Sequence, residues 1–430
     1  MLSKEPRRLD RYALGIDFGT SGARAIAIDA AAQVVAKVDE NFISSAPCQL
    51  AQLWQGALWS LLDALPLPVR RRLGAITIDG TSATVLLCDA RGQPIADPLL
   101  YNDDRGRLVL DDLQQIAPHD SPARSATSGL AKAMWWWQTL PPKQRERAQY
   151  LLHQADWLSW LLHNRLGISD YHNALKLGCD VGALAYPGWL SRLPAAAWFP
   201  QITSPGEPVG IIQPAIAERF AIAPDCLITA GTTDSIAAFL ASGAATPGEA
   251  VTSLGSTLVL KLLSTTRLDV PQKGIYSHRL GNLWLVGGAS NTGGAVLKQF
   301  FTDSQIKALS QQIDPAVSTE LNYYPLPCPG ERFPISDPDY LPRLTPRPPN
   351  SVMFLNGLLE GIAQIEADSY QLLTQLGATP VTQIYTAGGG AKNKTWQAIR
   401  SRLLKLPIAA ANTTDAAYGS ARLAQNSIRA

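Results

Sequence analysis

The sequence lacks the features that mark membrane and secreted proteins. It contains no stretch of about 18 consecutive apolar residues, so no membrane-spanning helix is predicted. Residues 1–11 are polar and basic and lack the apolar core of a secretory signal. Net charge is also small, at +2 for 430 residues, which gives no electrostatic reason for binding nucleic acid or an anionic membrane. We therefore expect a cytoplasmic protein whose partners are small molecules.

Several catalytic and structural motifs are absent as well. The five cysteines are odd in number, widely spaced and never arranged as C-x-x-C, which argues against a disulfide framework or a zinc site and predicts reduced, mostly buried thiols. The five histidines show no metal-ligand spacing, and no G-x-S-x-G, G-x-x-x-x-G-K-[ST] or G-x-G-x-x-G element is present. Serine hydrolases, zinc enzymes, P-loop NTPases and Rossmann dehydrogenases are therefore excluded.

Length and periodicity predict a two-domain α/β protein. A chain of 430 residues exceeds what one hydrophobic core usually supports, so we expect two domains of roughly 200 residues with a cleft between them. Residues 12–38 form three short apolar runs, which predict an antiparallel meander. Helical spacing of apolar residues predicts helices over 50–62, 132–140, 149–164, 353–376 and 393–405, and a hairpin is predicted over 251–264. The nine prolines between residues 325 and 349 predict a surface loop.

Three turns rich in glycine, hydroxyl groups and carboxylates are the most informative segments that the chain does contain. They are Asp17–Arg24, Gly231–Ser235 and Gly388–Asn393, and each lies at the end of a predicted strand. Glycines allow the backbone to approach an anion closely, and hydroxyl and carboxylate groups suit phosphates and their metal ion. Together the turns indicate phosphoryl transfer, which needs a metal, donors around the phosphates and a base.

The carboxylates of the first two turns each admit two roles. Asp17 stops a strand and offers an oxygen ligand to Mg²⁺, directly or through water, while Thr20 and Ser21 add hydroxyl donors beside Gly22. The alternative is an Asx-turn that only closes a hairpin. Asp234 is either the N-cap of a helix or a general base that takes a proton from an attacking hydroxyl group.

The remaining glycine segments also leave alternatives open. Gly255-Ser256-Thr257 is either a plain hairpin turn or a second phosphate loop. The three glycines from Gly388 to Gly390 permit close approach of a flat or anionic ligand, or a tight crossing of a strand and a helix. Asn393 either caps the following helix or binds an adenine or ribose edge.

In its ordered motifs, the sequence resembles the FGGY family of carbohydrate kinases, within the superfamily of actin, hexokinase and the Hsp70 ATPase. The matching segments are Asp17-Phe18-Gly19-Thr20-Ser21 with Arg24, Asp79-Gly80-Thr81-Ser82, Tyr101-Asn102-Asp103-Asp104-Arg105, Gly231-Thr232-Thr233-Asp234, Gly255-Ser256-Thr257, Gly330-Glu331-Arg332-Phe333-Pro334 and Gly388-Gly389-Gly390-Ala391-Lys392-Asn393. The resemblance covers essentially the whole chain. Within the family, residues 170–178 and 231–239 are most similar to the cyanobacterial and plant-type, xylulose-kinase-like D-ribulose kinases.

The resemblance implies two actin-like, ribonuclease H-like domains with a central cleft. An N-terminal sugar-binding domain would span residues 12–241 and be rejoined by a helix at 415–430, and a C-terminal nucleotide-binding domain would span 242–414. The implied sugar-binding residues are Asp17, Ser21, Gly22, Ala23, Arg24, Ser82 and Asp234, the last of which is the catalytic base. The implied ATP-binding residues are Thr20, Gly255, Ser256, Thr257, Gly388, Gly389, Gly390 and Asn393, with Mg²⁺ at Asp17.

These features predict an ATP-dependent kinase that phosphorylates D-ribulose at its terminal C5 hydroxyl to give D-ribulose 5-phosphate. D-Xylulose kinase is the alternative in the same class, because the two ketopentoses differ only in the placement of one hydroxyl group. The alternative from another class is an ATP-driven conformational switch of the actin or Hsp70 type.

Overall fold

The computed structural model describes residues 11–42 and 49–429, and the contacts between Cα atoms divide the chain into two units. Unit 1 contains residues 1–241 together with 415–430, and unit 2 contains residues 242–414. Each unit is built around a six-stranded sheet on which helices pack. The predicted mixed α/β class is confirmed.

Unit 1 begins with strands and continues in alternating strands and helices. Its strands are β1 (Tyr12–Phe18), β2 (Gly22–Ile28), β3 (Val34–Asn41), β4 (Leu73–Gly80), β5 (Val85–Cys88), β6 (Tyr150–His153), β7 (Ile168–Asp170), β8 (Gln201–Thr203), β9 (Pro208–Ile211) and β10 (Leu227–Thr233). Its helices up to residue 241 are α1 (Leu50–Ala64), α2 (Leu67–Arg70), α3 (Leu110–Ile116), α4 (Gly129–Thr139), α5 (Pro142–Arg147), α6 (Gln154–His163), α7 (Tyr171–Ala174), α8 (Pro214–Phe220) and α9 (Asp234–Ala241).

The strand order of the unit 1 sheet places three parallel strands side by side. The order is β3-β2-β1-β4-β10-β9, in which β1, β2 and β3 pair antiparallel as predicted. Strands β1, β4 and β10 run parallel to one another. Because the carboxyl ends of parallel strands meet at one edge of a sheet, the segments after Phe18, Gly80 and Thr233 lie at the same edge.

Unit 2 repeats this arrangement with its own elements. Its strands are β11 (Glu249–Leu254), β12 (Leu258–Ser264), β13 (Tyr276–Leu280), β14 (Leu283–Ser290), β15 (Gln383–Ala387) and β16 (Ile408–Ala410), and its helices are α10 (Gly294–Phe300), α11 (Asp303–Ser310), α12 (Ser351–Gln375) and α13 (Lys394–Leu404). The sheet order is β13-β14-β12-β11-β15-β16. Strands β11 and β15 are parallel neighbours, so the glycine segments that follow them lie at one edge.

The helix α14 (Ala416–Arg429) follows unit 2 along the chain but packs on the sheet of unit 1. Its alanines join Ala13 in a small-residue core on the face opposite Leu14, because successive side chains of a strand point to opposite faces. Close approach requires Gly15, since a Cβ atom there would lie 2.0 Å from the carbonyl oxygen of Ala417. Small residues therefore let this helix lie directly on the sheet.

Two of the predicted segments have contrasting outcomes. The helix predicted over 149–164 is wrong at its start, because Tyr150–His153 pairs with β5 as β6 and the helix begins at Gln154. The amide of His153 donates to the Asp156 carboxylate at 2.9 Å, which marks that helix start. The proline-rich segment 325–349 contains turns, bends and isolated bridges, as predicted for a loop, but it does not lie wholly on the surface, because Leu326, Glu331 and Phe333 are buried.

The predicted thiol burial also has a clear outcome. Cys88, Cys179 and Cys226 are buried, whereas Cys328 is exposed; Cys48 lies outside the described residues. Burial raises the pKa of the Cys179 thiol to about 12, so this thiol is not a nucleophile at neutral pH. Among the helices of residues 11–42 and 49–429, none is long and apolar enough to cross a membrane.

Candidate active site

Three predicted site carboxylates and hydroxyls of unit 1 lie at one edge of its sheet. Asp17 is at the end of β1, Ser82 follows β4, and Asp234 follows β10. Burial raises the pKa of Asp17, and the nearby negative charge of Asp234 raises it further. All three side chains are half-buried. The parallel strands therefore bring together residues that are more than 60 positions apart in sequence.

A second carboxylate, Asp79, lies directly beside Asp17. The two are paired in the parallel register of β1 and β4. Asp79 is fully buried and accepts a hydrogen bond from the Ser420 hydroxyl at 2.5 Å. Burial raises the pKa of Asp79 well above its ordinary value, and the neighbouring Asp17 raises it further. These effects favour the protonated form of Asp79, and a side-chain hydrogen bond joins the Asp79 and Asp17 carboxyl groups.

Asp234 is the first residue of α9, and its Oδ1 accepts a hydrogen bond from the Ser235 amide at 2.6 Å. Asp234 thus lies at the start of a helix, a position that is compatible with either proposed role, the helix cap or the general base. Lys176 faces this carboxylate: burial lowers the pKa of Lys176, and the negative charge of Asp234 opposes that shift. A partly buried cation beside the carboxylate favours the ionised form that a base requires.

The β1–β2 turn holds the other predicted sugar-side residues. Thr20 and Ser21 are exposed, Ala23 is buried, and a Cβ atom on Gly22 would lie 2.6 Å from the Glu40 carbonyl oxygen. The guanidinium group of Arg24 pairs with Asp39 and, at 3.1 Å, with Asp415. These two carboxylates account for the raised pKa of Arg24, Asp39 having the largest effect. Arg24 thereby links β2 to the start of α14.

The donor set at this edge suits a magnesium ion that keeps most of its own water. In residues 11–42 and 49–429, no group of three or more His, Cys, Asp or Glu side chains forms a metal cluster. Mg²⁺ commonly takes one or two carboxylates and completes its shell with water and substrate phosphates. Asp17 offers such a carboxylate, half-buried at the end of β1.

The predicted nucleotide residues of unit 2 surround a cavity of about 830 Å³. Gly255, Ser256, Gly389, Gly390 and Asn393 line it. This volume lies in the range of about 300–1,000 Å³ that is usual for small-molecule sites. Five residues predicted from two separate turns therefore share one cavity.

Two predicted residues of these turns support the turn backbone. Thr257 does not line the cavity, and its carbonyl oxygen closes the first turn by accepting from the Gly255 amide at 3.2 Å. Gly388 has φ +82°, which favours glycine, and a Cβ atom there would lie 2.7 Å from the Leu254 carbonyl oxygen. The Asn393 side chain caps α13 by accepting from the Trp396 amide at 3.0 Å. Its amide nitrogen donates to the Ser310 hydroxyl at 2.9 Å.

Sequence reasoning did not assign several charged residues that lie at these sites. The cavity of unit 2 is lined by lysines, which are Lys298, Lys307, Lys392 and Lys394. Positive charge around a cavity suits an anionic ligand such as a nucleotide. Lys392 and Lys394 follow the glycine turn within four residues and could have been found from that spacing, whereas Lys298 and Lys307 come from α10 and α11. Lys176 lies within residues 170–178, a segment that the sequence analysis distinguishes only by its family resemblance.

Comparison with known proteins finds matches over most of the chain. The models of the N-terminal and C-terminal domains of the FGGY family of carbohydrate kinases match residues 12–241 and 250–427. The chain is 25% identical to the xylulose kinase of Escherichia coli, over 96% of this chain and 89% of that protein. It is 23% identical to the gluconokinase of Bacillus subtilis, over 92% of this chain and 83% of that protein. The crystal structure of xylulose kinase from Rhodospirillum rubrum has the same fold, with a TM-score of 0.81, 20% identity and coverage of 96% and 89% of the two chains.

Proposed function

The chain belongs to the FGGY family of carbohydrate kinases, which are ATP-dependent phosphotransferases acting on sugars, and on that premise we propose that it phosphorylates D-ribulose at the C5 hydroxyl. The observation that carries the proposal is the meeting of Asp17, Ser82 and Asp234 at one edge of the unit 1 sheet. The choice of D-ribulose rests on the likeness of residues 170–178 and 231–239 to that subgroup.

Asp234 is the proposed general base. Its carboxylate takes the proton of the C5 hydroxyl as the sugar oxygen attacks the γ-phosphorus of ATP; a new P–O bond forms, and the bond to the β-phosphate oxygen breaks and releases ADP. The Ser235 amide and Lys176 favour the ionised carboxylate. Proton abstraction by a positioned carboxylate is typically worth about 10²–10⁴ in rate.

The other side chains of unit 1 would bind and orient the sugar. Ser21, Gly22, Ala23 and Arg24 lie on the β1–β2 turn beside Asp17, and Ser82 lies on the neighbouring turn after β4. We assign their hydroxyl, backbone and guanidinium donors to the ketose hydroxyl groups. Asp17 would also hold Mg²⁺, which when bound neutralises charge on the phosphates.

ATP would occupy the cavity of unit 2. We assign Gly255 and Ser256, which line this cavity, to the phosphates, together with Thr257 of the same turn and Thr20 of unit 1. Gly388, Gly389, Gly390 and Asn393 are assigned to the adenosine. The lysines around the cavity add positive charge that favours a polyphosphate over an uncharged ligand.

The specific similarity to a xylulose kinase supports D-xylulose as the second candidate substrate. D-Xylulose and D-ribulose share the C5 hydroxyl, so the same base serves both. Discrimination between them depends on hydrogen bonds to one hydroxyl group, and a site that pairs this group can reject the epimer strongly.

The test is a substrate panel combined with a matched pair of variants. ADP release is measured with D-ribulose, D-xylulose, L-ribulose, gluconate, glycerol and no sugar. D-Ribulose should give the highest kcat/KM. A response that is flat across the panel would refute the proposal, and a flat response is also what an ATP-driven conformational switch would give. Asp234→Asn should lower kcat by at least 10²-fold with ATP affinity nearly unchanged. Asp111→Asn, an exposed aspartate in the first turn of α3, should retain full activity.

A further inference from the structure

Lys132 is a buried lysine that the proposed chemistry does not use. It lies on α4 with a fully buried side chain. Its Nζ donates to the carbonyl oxygens of Ala83 at 2.7 Å and Leu100 at 2.6 Å. Burial lowers the pKa of Lys132 to about 7, against an opposing effect of Asp103, while Lys176 and Arg105 lower it further. Burying an amine in an apolar interior costs free energy, so the two hydrogen bonds that Lys132 makes there need an explanation.

The two carbonyl groups belong to two adjacent turns. In the first turn, the Thr84 amide donates to the Thr81 carbonyl at 3.1 Å, with Ser82 and Ala83 between them. Ala83 has φ +64°, a left-handed conformation that an alanine rarely adopts without support. The Lys132 hydrogen bond to the Ala83 carbonyl provides that support. It thereby fixes the backbone next to Ser82.

The second turn carries Asp103 and Arg105. The Asp103 amide donates to the Leu100 carbonyl at 2.9 Å, and the same carbonyl accepts from Lys132. The Asp103 carboxylate receives Arg105 Nη2 at 2.8 Å, and the Arg105 guanidinium group lies 5.1 Å from the centre of the Trp135 ring. Trp135 is three residues after Lys132 on α4, so one face of this helix contacts both ends of the turn.

We propose that Lys132 is a positioning residue that fixes the Thr81–Thr84 and Leu100–Arg105 turns side by side and so sets the affinity of the enzyme for its sugar. The inference rests on the proposed function, because Ser82 is assigned to the sugar there. Lys132 thereby holds the turn that carries Asp103 and Arg105 beside the turn that carries Ser82. The Thr81–Thr84 turn also lies beside the proposed base, because Gly80 pairs with Thr233 where β4 and β10 end.

Lys132→Met separates positioning from folding. Methionine fills a similar volume and removes both hydrogen bonds, and their loss is offset by removal of the cost of burying the amine. The thermal midpoint measured at pH 7 should therefore stay close to that of the wild type. The KM for the sugar should rise about 10–100-fold, while kcat and the KM for ATP change less than about twofold. Lys143→Met, at an exposed lysine of α5, is the control and should change none of these values.

Hydrogen exchange of the ligand-free protein provides a readout that does not depend on any sugar. In Lys132→Met, amides of residues 81–84 and 100–106 should exchange at least tenfold faster, and peptides of β1 and β10 should not change. If no sugar of the panel is a substrate but exchange rises in both turns, the proposed function fails and the positioning of the turns stands. Unchanged exchange in the two turns, an unchanged sugar KM, or an equal rise in the KM for ATP would each overturn the inference.

Discussion

Replacing Arg400 by methionine should loosen both glycine turns of the unit 2 cavity. Arg400 and Glu366 are about 1% exposed and form a bidentate pair, with Nε to Oε2 at 2.6 Å and Nη2 to Oε1 at 2.7 Å. Arg400 also donates to the Thr386 hydroxyl at 2.7 Å, and Glu366 accepts from the Thr252 hydroxyl at 2.6 Å. Thr252 and Thr386 lie on β11 and β15, just before the turns at Gly255 and Gly388. The pair therefore joins the two strands that carry the turns.

The expected magnitude follows from leaving one charge buried without its partner. Breaking a buried ion pair in this way typically costs about 3–5 kcal/mol, because Glu366 keeps its desolvation penalty and loses its main compensation. At about 1.4 kcal/mol per factor of ten, this loss corresponds to about 150- to 5,000-fold in the local opening equilibrium. The double variant Arg400→Met/Glu366→Met removes both charged groups and should cost much less.

Hydrogen exchange with mass spectrometry measures this change by segment. Peptides covering β11 and β15 should exchange faster in Arg400→Met, whereas peptides of β1 and β4 in unit 1 serve as internal controls. Equal exchange in the single and double variants would refute this reasoning.

Three further variants test other parts of the fold. Gly419→Ala places a Cβ atom 1.8 Å from the Ala237 carbonyl oxygen and should destabilise unit 1 by about 1–3 kcal/mol or more in urea unfolding. The control is Gly56→Ala, whose Cβ atom meets no atom within 4 Å and which should be neutral or stabilising. The folded pKa of Lys132, about 7, lies below its unfolded value, so wild-type stability should rise from pH 7 to pH 10 relative to Lys132→Met, by up to about 3.5 kcal/mol in the same assay. Parallel pH curves would contradict this. Gly388→Ala should raise the KM for ATP at least tenfold with the sugar KM unchanged, and an unchanged KM for ATP would show that this turn does not hold the nucleotide.

The sequence predicts the candidate site well where local pattern determines it. The strand ends at Asp17 and Asp234 and the turns at Gly255 and Gly388 are visible because glycine, hydroxyl and carboxylate groups follow apolar strands. For Tyr150–His153 the sequence pattern predicts a helix, because the apolar residues of this strand continue into α6 without a break. Only its pairing with β5 makes it a strand, and such pairing is not a local property.

The buried polar pairs could not be predicted, because each joins residues distant in sequence. Asp79 and Ser420 are 341 positions apart, and Lys132 reaches a carbonyl group 49 positions away. A lysine or an arginine inside a helix is most often an exposed residue, so Lys132 and Arg400 carried no signal of burial. Their roles are apparent only once the strands and turns that they join are in place.

The return of α14 to the first sheet has a consequence for synthesis of the protein. Because all of residues 242–414 precede this helix, the ribosome produces the whole of unit 2 before Ser420 can reach Asp79. A nascent chain must therefore hold its first strands with the alanine-lined face uncovered while the middle of the polypeptide emerges. The hydrogen bond from Ser420 to Asp79, and the packing of α14 on the first sheet, can therefore form only late in synthesis.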